Sequence, residues 1–194
     1  MDGLYALKPW YARQLTGVRR RLVARQVSPT AVSIAGVGCA AAAAPAIVLA
    51  PPHAVTALVV GLLLVGRLAC ANLDGGIARE SGRTTARGSV VNELSDRLAD
   101  MVVIAAFAVH VPWWLVGAAA CAALLPAGVS LSAAAAGAVR LQGGPVGKTE
   151  RCVLAAVAVG TGYYVPVLAV LAAGSAFTAG VRLVRAWRLL GGAR

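Results

Sequence analysis

The chain has 194 residues, 59% of them hydrophobic and 13% charged, and its mean hydropathy is +0.78. Soluble domains carry about 25% charged residues, so a water-soluble globule is excluded and an integral membrane protein is expected. The alternating ten-residue segments of a membrane barrel are missing, which leaves apolar helices as the spanning elements.

The formal charge of +11 would suggest nucleic acid in a soluble protein, but its placement here reads as topology. Of the 18 basic residues, six fall between Lys8 and Arg25, four between Arg79 and Arg97, three between Arg140 and Arg151 and four between Arg182 and Arg194, leaving only Arg67. The intervening connections at Ala50 to Ala54, His110 to Trp113 and Gly160 to Pro166 have no Lys or Arg. This is the positive-inside asymmetry with both termini and the charged chemistry in the cytoplasm, in the plasma membrane if the source is bacterial. Nucleic acid is therefore not expected as a partner. Cys39, Cys70, Cys121 and Cys152 are isolated in apolar runs and read as small buried hydrophobes.

In chain order, residues 1–27 read as an amphipathic interfacial segment: Leu4, Leu7, Tyr11, Leu15, Val18 and Leu22 recur at helical spacing beside Arg13 and Arg20. Met1 to Gln26 has no continuous apolar core and no small-residue cleavage pattern, so the first span is expected to be retained. Residues 28–190 read as a domain of six transmembrane helices. Ser28-Pro29-Thr30 has the form of a helix start, and the first span follows over Thr30 to Leu49 until Pro51-Pro52. The second runs from Ala54 to Arg79 and projects beyond the lipid. Gly82 to Arg87 is a polar turn; the third helix starts near Gly88 and reaches His110, and the fourth covers Trp113 to Ala138, with Trp113 and Trp114 suited to the interfacial belt. After a Gly- and Pro-containing loop over Leu141 to Thr149, a short fifth span runs from Glu150 past Gly160 and a sixth from Pro166 to Arg185. His53, His110, Tyr163, Tyr164 and Trp187 read as interfacial residues, and Arg67 either snorkels or pairs with an acid.

Asp74, Glu80, Glu93, Asp96 and Asp100 bring five of the seven acidic residues into one stretch. Asn92, Asp96 and Asp100 repeat every four residues on one helix face, and Ala71, Asp74 and Ala78 share a face of the preceding helix. Two facing stripes of this kind can bind a divalent cation, Mg²⁺ or Mn²⁺ where phosphate is also present. The bland alternative is a solvated helix-start charge cluster. Gly75, Gly76 and Gly88 would let a phosphate-bearing ligand approach the backbone.

The run Asp74-Gly75-Gly76-Ile77-Ala78-Arg79, then Gly88, Asn92 and Asp96 in fixed register, resembles the signature of the CDP-alcohol phosphotransferase family, Asp-x2-Asp-Gly-x2-Ala-Arg-x8-Gly-x3-Asp-x3-Asp. The resemblance implies a membrane-embedded enzyme that transfers a phosphoalcohol group, as phosphatidyl, from a CDP-alcohol such as CDP-diacylglycerol to a small alcohol or phosphoalcohol acceptor, releasing CMP in phospholipid biosynthesis. It further implies a homodimer surrounded by membrane lipids, with divalent metals, usually two. Carried over by position, Asp96 is the base; Asp74, Asn92 and Asp96 are metal ligands; and Gly75, Ala78, Arg79 and Gly88 form the cytidine pocket. Lys148, Arg151 and Arg182 are candidates for an acceptor phosphate.

Two signature aspartates are replaced, the first by Ala71 and the third by Asn92, which weakens the ligand set. Asp100, one turn or about 5.4 Å beyond Asp96, could take up ligation and shift the metal toward the membrane. The Asn92-Glu93-Leu94-Ser95-Asp96 stretch with Asp100, and the Gly144-Pro145-Val146-Gly147-Lys148 loop, resemble a variant branch of the same family. The competing readings are a catalytically altered cytidine-nucleotide or lipid-binding relative and a small membrane transporter; no internal repeat supports the transporter.

Overall fold

The computed structural model describes residues 8–191. The helices are α1 (Lys8–Gln14), α2 (Thr16–Ala24), α3 (Pro29–Leu49), α4 (Ala54–Glu80), α5 (Ala86–Ala105), α6 (Trp113–Ala135), α7 (Lys148–Thr161) and α8 (Tyr164–Gly191), with a 3-10 turn over Ala106–Val109 continuing α5. Helices α3, α4, α6 and α8 are long and apolar enough to cross a bilayer. Leu58, Leu62, Leu125 and Phe177 on them are exposed, as lipid-facing side chains must be. The predicted third and fifth spans differ from these four. Helix α5 carries Glu93, Asp96, Arg97 and Asp100 across its middle turns, and α7 has only 14 residues, roughly 21 Å of helix against a hydrocarbon core of ~30 Å.

From α3 to α8 the helices run alternately between two ends of one bundle. Glu80 pairs with Arg19, Glu93 with Arg140 and Asp96 with Lys148, which gathers the charged ends of α2, α4, α5 and α7. At the opposite end His110 Nε2 lies 2.7 Å from the Ile47 carbonyl, and its ring stacks on Tyr164 with centroids 4.1 Å apart. Tyr164, expected at the interface, is thus half-buried and joins α8 to the end of α5. The core between the ends is lined by small and branched residues, among them Ala40, Ala43, Ile47, Val60, Ala119, Ala158 and Leu168, all fully buried. Their small size lets the helices approach closely where water is absent and packing drives association.

Local chemistry moves several predicted boundaries. Thr85 Oγ1 accepts from the Gly88 N–H at 3.0 Å, so α5 starts at Ala86 and the expected first residue, Gly88, lies in its first turn. Glu150 Oε2 accepts from the Gly147 N–H at 2.9 Å, which starts α7 at Lys148 inside the predicted loop. Pro166 falls in the first turn of α8, where a missing N–H is harmless. His53 is the N-cap of α4, its Nδ1 accepting from the Val55 N–H at 3.2 Å.

The N-terminal segment is also arranged differently from the single surface helix that its periodicity predicts. Leu4 and Leu7 lie outside the described residues. The remainder divides near Leu15 into α1 and α2, and Leu15, Leu22, Val23 and Val27 pack on Val32, Leu73 and Ile77 of the bundle. Tyr11 Oη donates to the Val65 carbonyl at 3.2 Å. Part of the stripe read as lipid-facing therefore covers α4 around Leu73 and Ile77.

The connection over residues 136–147 returns across this charged end to α7. Gly144 has φ +130°, and a Cβ there would lie 2.2 Å from Thr178 Cγ2. Gly144→Ala is expected to lower the stability of the detergent-purified protein by about 2–3 kcal/mol through backbone strain and overpacking. Gly137→Ala, at φ +93° with nothing within 4 Å of the added Cβ, should cost less than half as much; thermal unfolding of both variants is the check.

Candidate active site

Helix α4 is continuous through Ala71, Asp74 and Ala78, and α5 lies beside it, so Asp74 and Asp96 of the two signature halves meet at a small cleft. Ser33, Arg67, Ala71, Asp74, Ser95 and Asp96 are among its lining residues. Asp74 is buried. Its Oδ2 accepts from the Ser33 hydroxyl at 2.7 Å and its Oδ1 from the Gly75 N–H at 2.5 Å. Among the described residues no guanidinium or ammonium comes within salt-bridge distance of Asp74. This buried carboxylate is held by two neutral donors and borders the cleft.

Asp96 reaches the same cleft from α5, and its Oδ2 pairs with Lys148 Nζ from the first turn of α7. The spacing thus brings Asp74 and Asp96 together as expected. Asn92 lies one turn before Asp96 and does not line the cleft. Gly75, Ala78 and Arg79 occupy the following turns of α4, and Gly88 opens α5 across the turn over residues 81–85. Arg79 is exposed and folds back along its helix, so that a Cβ on Gly75 would meet its Nη1 at 3.3 Å. Gly76 faces the other way: a Cβ there would lie 2.8 Å from Arg19 Cδ, so the second glycine admits α2, whose Arg19 Nε binds Glu80 at 2.6 Å.

Asp100 departs from its expected role. It is 3% exposed, with Oδ1 accepting from Arg67 Nη2 and Oδ2 from Arg151 Nη2, both at 2.6 Å. Arg97 Nη1 stands 3.8 Å from Oδ2. Both oxygens are occupied by guanidiniums, so the carboxylate is an internal ion-pair anchor, and the proposed shift of a metal toward Asp100 does not fit. The same contact removes Arg151, 5% exposed, from the phosphate candidates. Arg182 donates from Nε to the Gly143 carbonyl at 3.0 Å and from Nη1 to the Pro126 carbonyl at 2.7 Å, which ties α8 to the 136–147 connection. Of the three basic candidates, Lys148 alone adjoins the cleft through Asp96.

Two participants escaped the sequence reading. Ser33 lies in an otherwise apolar span, and nothing in its neighbourhood signals a bond to a residue 41 positions away. Arg67 was left between snorkelling and pairing; its depth decides for pairing. It also donates from Nη2 to the Asp96 main-chain carbonyl at 3.1 Å, so the anchor touches the backbone of the cleft. The available signal was its position one turn before Ala71.

Asp74 and Asp96 offer two hard oxygen donors to one cleft, and no group of three metal-ligating side chains occurs among the described residues. Mg²⁺ is commonly held by one or two carboxylates together with substrate phosphates and water, so the donor set fits a divalent cation that completes its shell from a phosphorylated ligand.

A sequence model of the CDP-alcohol phosphatidyltransferase family matches residues 25–185. The fold is similar to the crystal structure of Mycobacterium tuberculosis phosphatidylinositol phosphate synthase with CDP-DAG bound, with a TM-score of 0.70 and 24% sequence identity over 94% of this chain and 98% of that one. No curated protein matches the sequence.

If Asp100 is an anchor, Asp100→Ala strands two buried guanidiniums and should cost about 3–5 kcal/mol. Glu93→Ala, at a pair nearer the surface, should cost under ~1 kcal/mol. Thermal unfolding of the metal-free protein separates these, because a residue serving only as a metal ligand would leave that stability unchanged.

Proposed function

Because the chain belongs to the CDP-alcohol phosphatidyltransferase family, we propose that the Asp74–Asp96 cleft transfers a phosphatidyl group from a CDP-alcohol, as CDP-diacylglycerol, to the hydroxyl of a small alcohol or phosphoalcohol, releasing CMP. The observation that carries this is Asp74: a buried carboxylate held at the cleft by Ser33 and Gly75, with no salt bridge among the described residues, in the same cleft as a second carboxylate. Such an arrangement suits a ligand that brings positive charge and phosphate together.

Asp74 and Asp96 would hold a divalent cation, Mg²⁺ or Mn²⁺, which when bound supplies charge neutralisation to the donor pyrophosphate. Asp96 accepts the proton of the acceptor hydroxyl as the new phosphoester bond forms; the phosphoanhydride bond breaks and its electron pair leaves on CMP. Lys148, paired with Asp96, holds that carboxylate in one orientation. Gly75, Ala78, Arg79 and Gly88 lie toward the charged end, where the cytidine would sit against the backbone of Gly75 and Gly88 beside the Arg79 guanidinium. The signature departures at Ala71 and Asn92 reduce the ligand set without removing either carboxylate of the cleft.

We assign α3 to α8 as six crossings. Although α5 and α7 lack a long apolar window, the His110–Ile47 contact and the approach of Pro52 to Gly162, where a Cβ would lie 3.3 Å from Pro52 Cγ, put their far ends level with those of α3 and α4. The charged end is then cytoplasmic, with both termini, by the distribution of Lys and Arg. Residues 28–190 form the catalytic domain and residues 1–27 the interfacial segment, of which Leu15, Leu22, Val23 and Val27 pack on the bundle. A homodimer fits the same reading.

The test needs no knowledge of the acceptor. Thermal unfolding is measured with CDP-diacylglycerol, CDP or CMP, with and without Mg²⁺; a ligand at one hundred times its Kd adds about 2.7 kcal/mol to apparent stability. Metal-dependent stabilisation by the cytidine ligands, lost in Asp74→Ala, is expected. An acceptor panel read by CMP release should then show Asp96→Asn slower by roughly 10²–10⁴-fold with unchanged thermal unfolding. Absence of any cytidine response would overturn the assignment.

A further inference from the structure

The cleft carries fixed positive charge of its own. Lys148 Nζ is paired with Asp96 Oδ2. The Arg67 guanidinium, 2% exposed, lines the same cleft and donates to the Asp96 carbonyl at 3.1 Å, held there by Asp100. Meanwhile the replacements Ala71 and Asn92 have taken two carboxylates out of the surrounding helix faces. Of the four signature acids two remain, Asp74 and Asp96, and two basic side chains, Lys148 and Arg67, bond to Asp96.

Two divalent ions added to this arrangement would leave a large excess of positive charge in a low-dielectric cleft, where like charges repel strongly. One divalent ion leaves an excess that the two negative charges of a pyrophosphate diester cancel. We infer, on the reading that Asp74 and Asp96 hold the metal, that this chain takes a single divalent cation and that the Lys148 ammonium supplies the positive charge a second ion would bring. Lys148 is suited to this because it is delivered from another helix. Its stem rises from the first position of α7, whose start is fixed by the Glu150 bond to the Gly147 N–H, so the charge arrives at Asp96 with the fold. Arg67 is locked by Asp100 and Asp96 and contributes the remaining field.

The inference makes Lys148 a competitor of the metal as well as its complement, since both draw on the Asp96 carboxylate. Mn²⁺ binding to the full-length protein in detergent, with CDP present, is read by the electron paramagnetic resonance of free Mn²⁺, which is independent of turnover. One Mn²⁺ per chain is expected. Lys148→Met should still bind one, roughly tenfold more tightly, while Lys148→Arg, which keeps the charge, should stay near the parent affinity. Ala71→Asp with Asn92→Asp in the Lys148→Met background should gain a second Mn²⁺. Two ions bound by the parent protein would overturn the inference, as would unchanged affinity in Lys148→Met. No Mn²⁺ bound by any form would instead overturn the metal-dependent reading on which it rests.

Discussion

Asp100 lies inside the bundle with an arginine from α4 on one oxygen and an arginine from α7 on the other, and it rides on α5 itself. A single carboxylate thus joins three helices at one depth. Without water to screen them, these charges cannot exchange protein partners for solvent, so each helix is held in register by the other two. The arrangement is costly as well as specific: Nε of both Arg67 and Arg151 is buried without a hydrogen-bond partner. Stability alone would favour apolar side chains of the same size. What the charged version adds is the second bond of Arg67, to the Asp96 carbonyl, which fixes the backbone of the residue that faces Asp74.

This anchor explains why α5 and α7 can be polar at one end. Each begins among charges, and α7 is too short to span by itself, yet α5 packs on α3 and α7 packs on α4 and α8. Charged side chains at membrane depth are tolerated when they face a partner rather than lipid. The small residues of the core, together with Gly160, where a Cβ would lie 2.9 Å from that of Ala57, let α7 sit against α4 closely enough for Arg151 and Cys152 to meet Arg67 and Asp100.

Much of this was legible in the sequence, for identifiable reasons. The four long apolar helices follow from hydropathy, and the meeting of Asp74 with Asp96 follows from helical spacing within a signature whose register is intact. Helices α5 and α7, read as the third and fifth spans, were legible as elements but lack a long apolar window, because they carry charged residues that pair within the bundle, which periodicity cannot distinguish from charges facing water. Asp100 continues the four-residue series of Asn92 and Asp96, so spacing alone makes it another ligand. Depth makes it an anchor, and depth depends on arginines 33 positions before it and 51 after it. The N-terminal stripe was read correctly as amphipathic. Its apolar side has two possible hosts, lipid and protein, and nothing in its own residues selects the second.

The acids between residues 74 and 100 form a gradient. Glu80 and Glu93, nearest the solvent end, pair with Arg19 and with Arg97 and Arg140; Asp96, half-buried, pairs with Lys148; Asp100, deepest, takes two arginines. The most exposed of them, Glu80, has one basic partner and the deepest, Asp100, has two buried guanidiniums, as expected where the desolvation of a carboxylate must be offset within the protein. Asp74 breaks the series. It is as buried as Asp100 but receives a hydroxyl and a main-chain N–H in place of guanidiniums. Neutral donors orient that carboxylate without an ion pair among the described residues, so the field that secures the other acids does not reach it through a salt bridge. The cleft is placed by that exception, and Asp100 secures the frame that keeps it open.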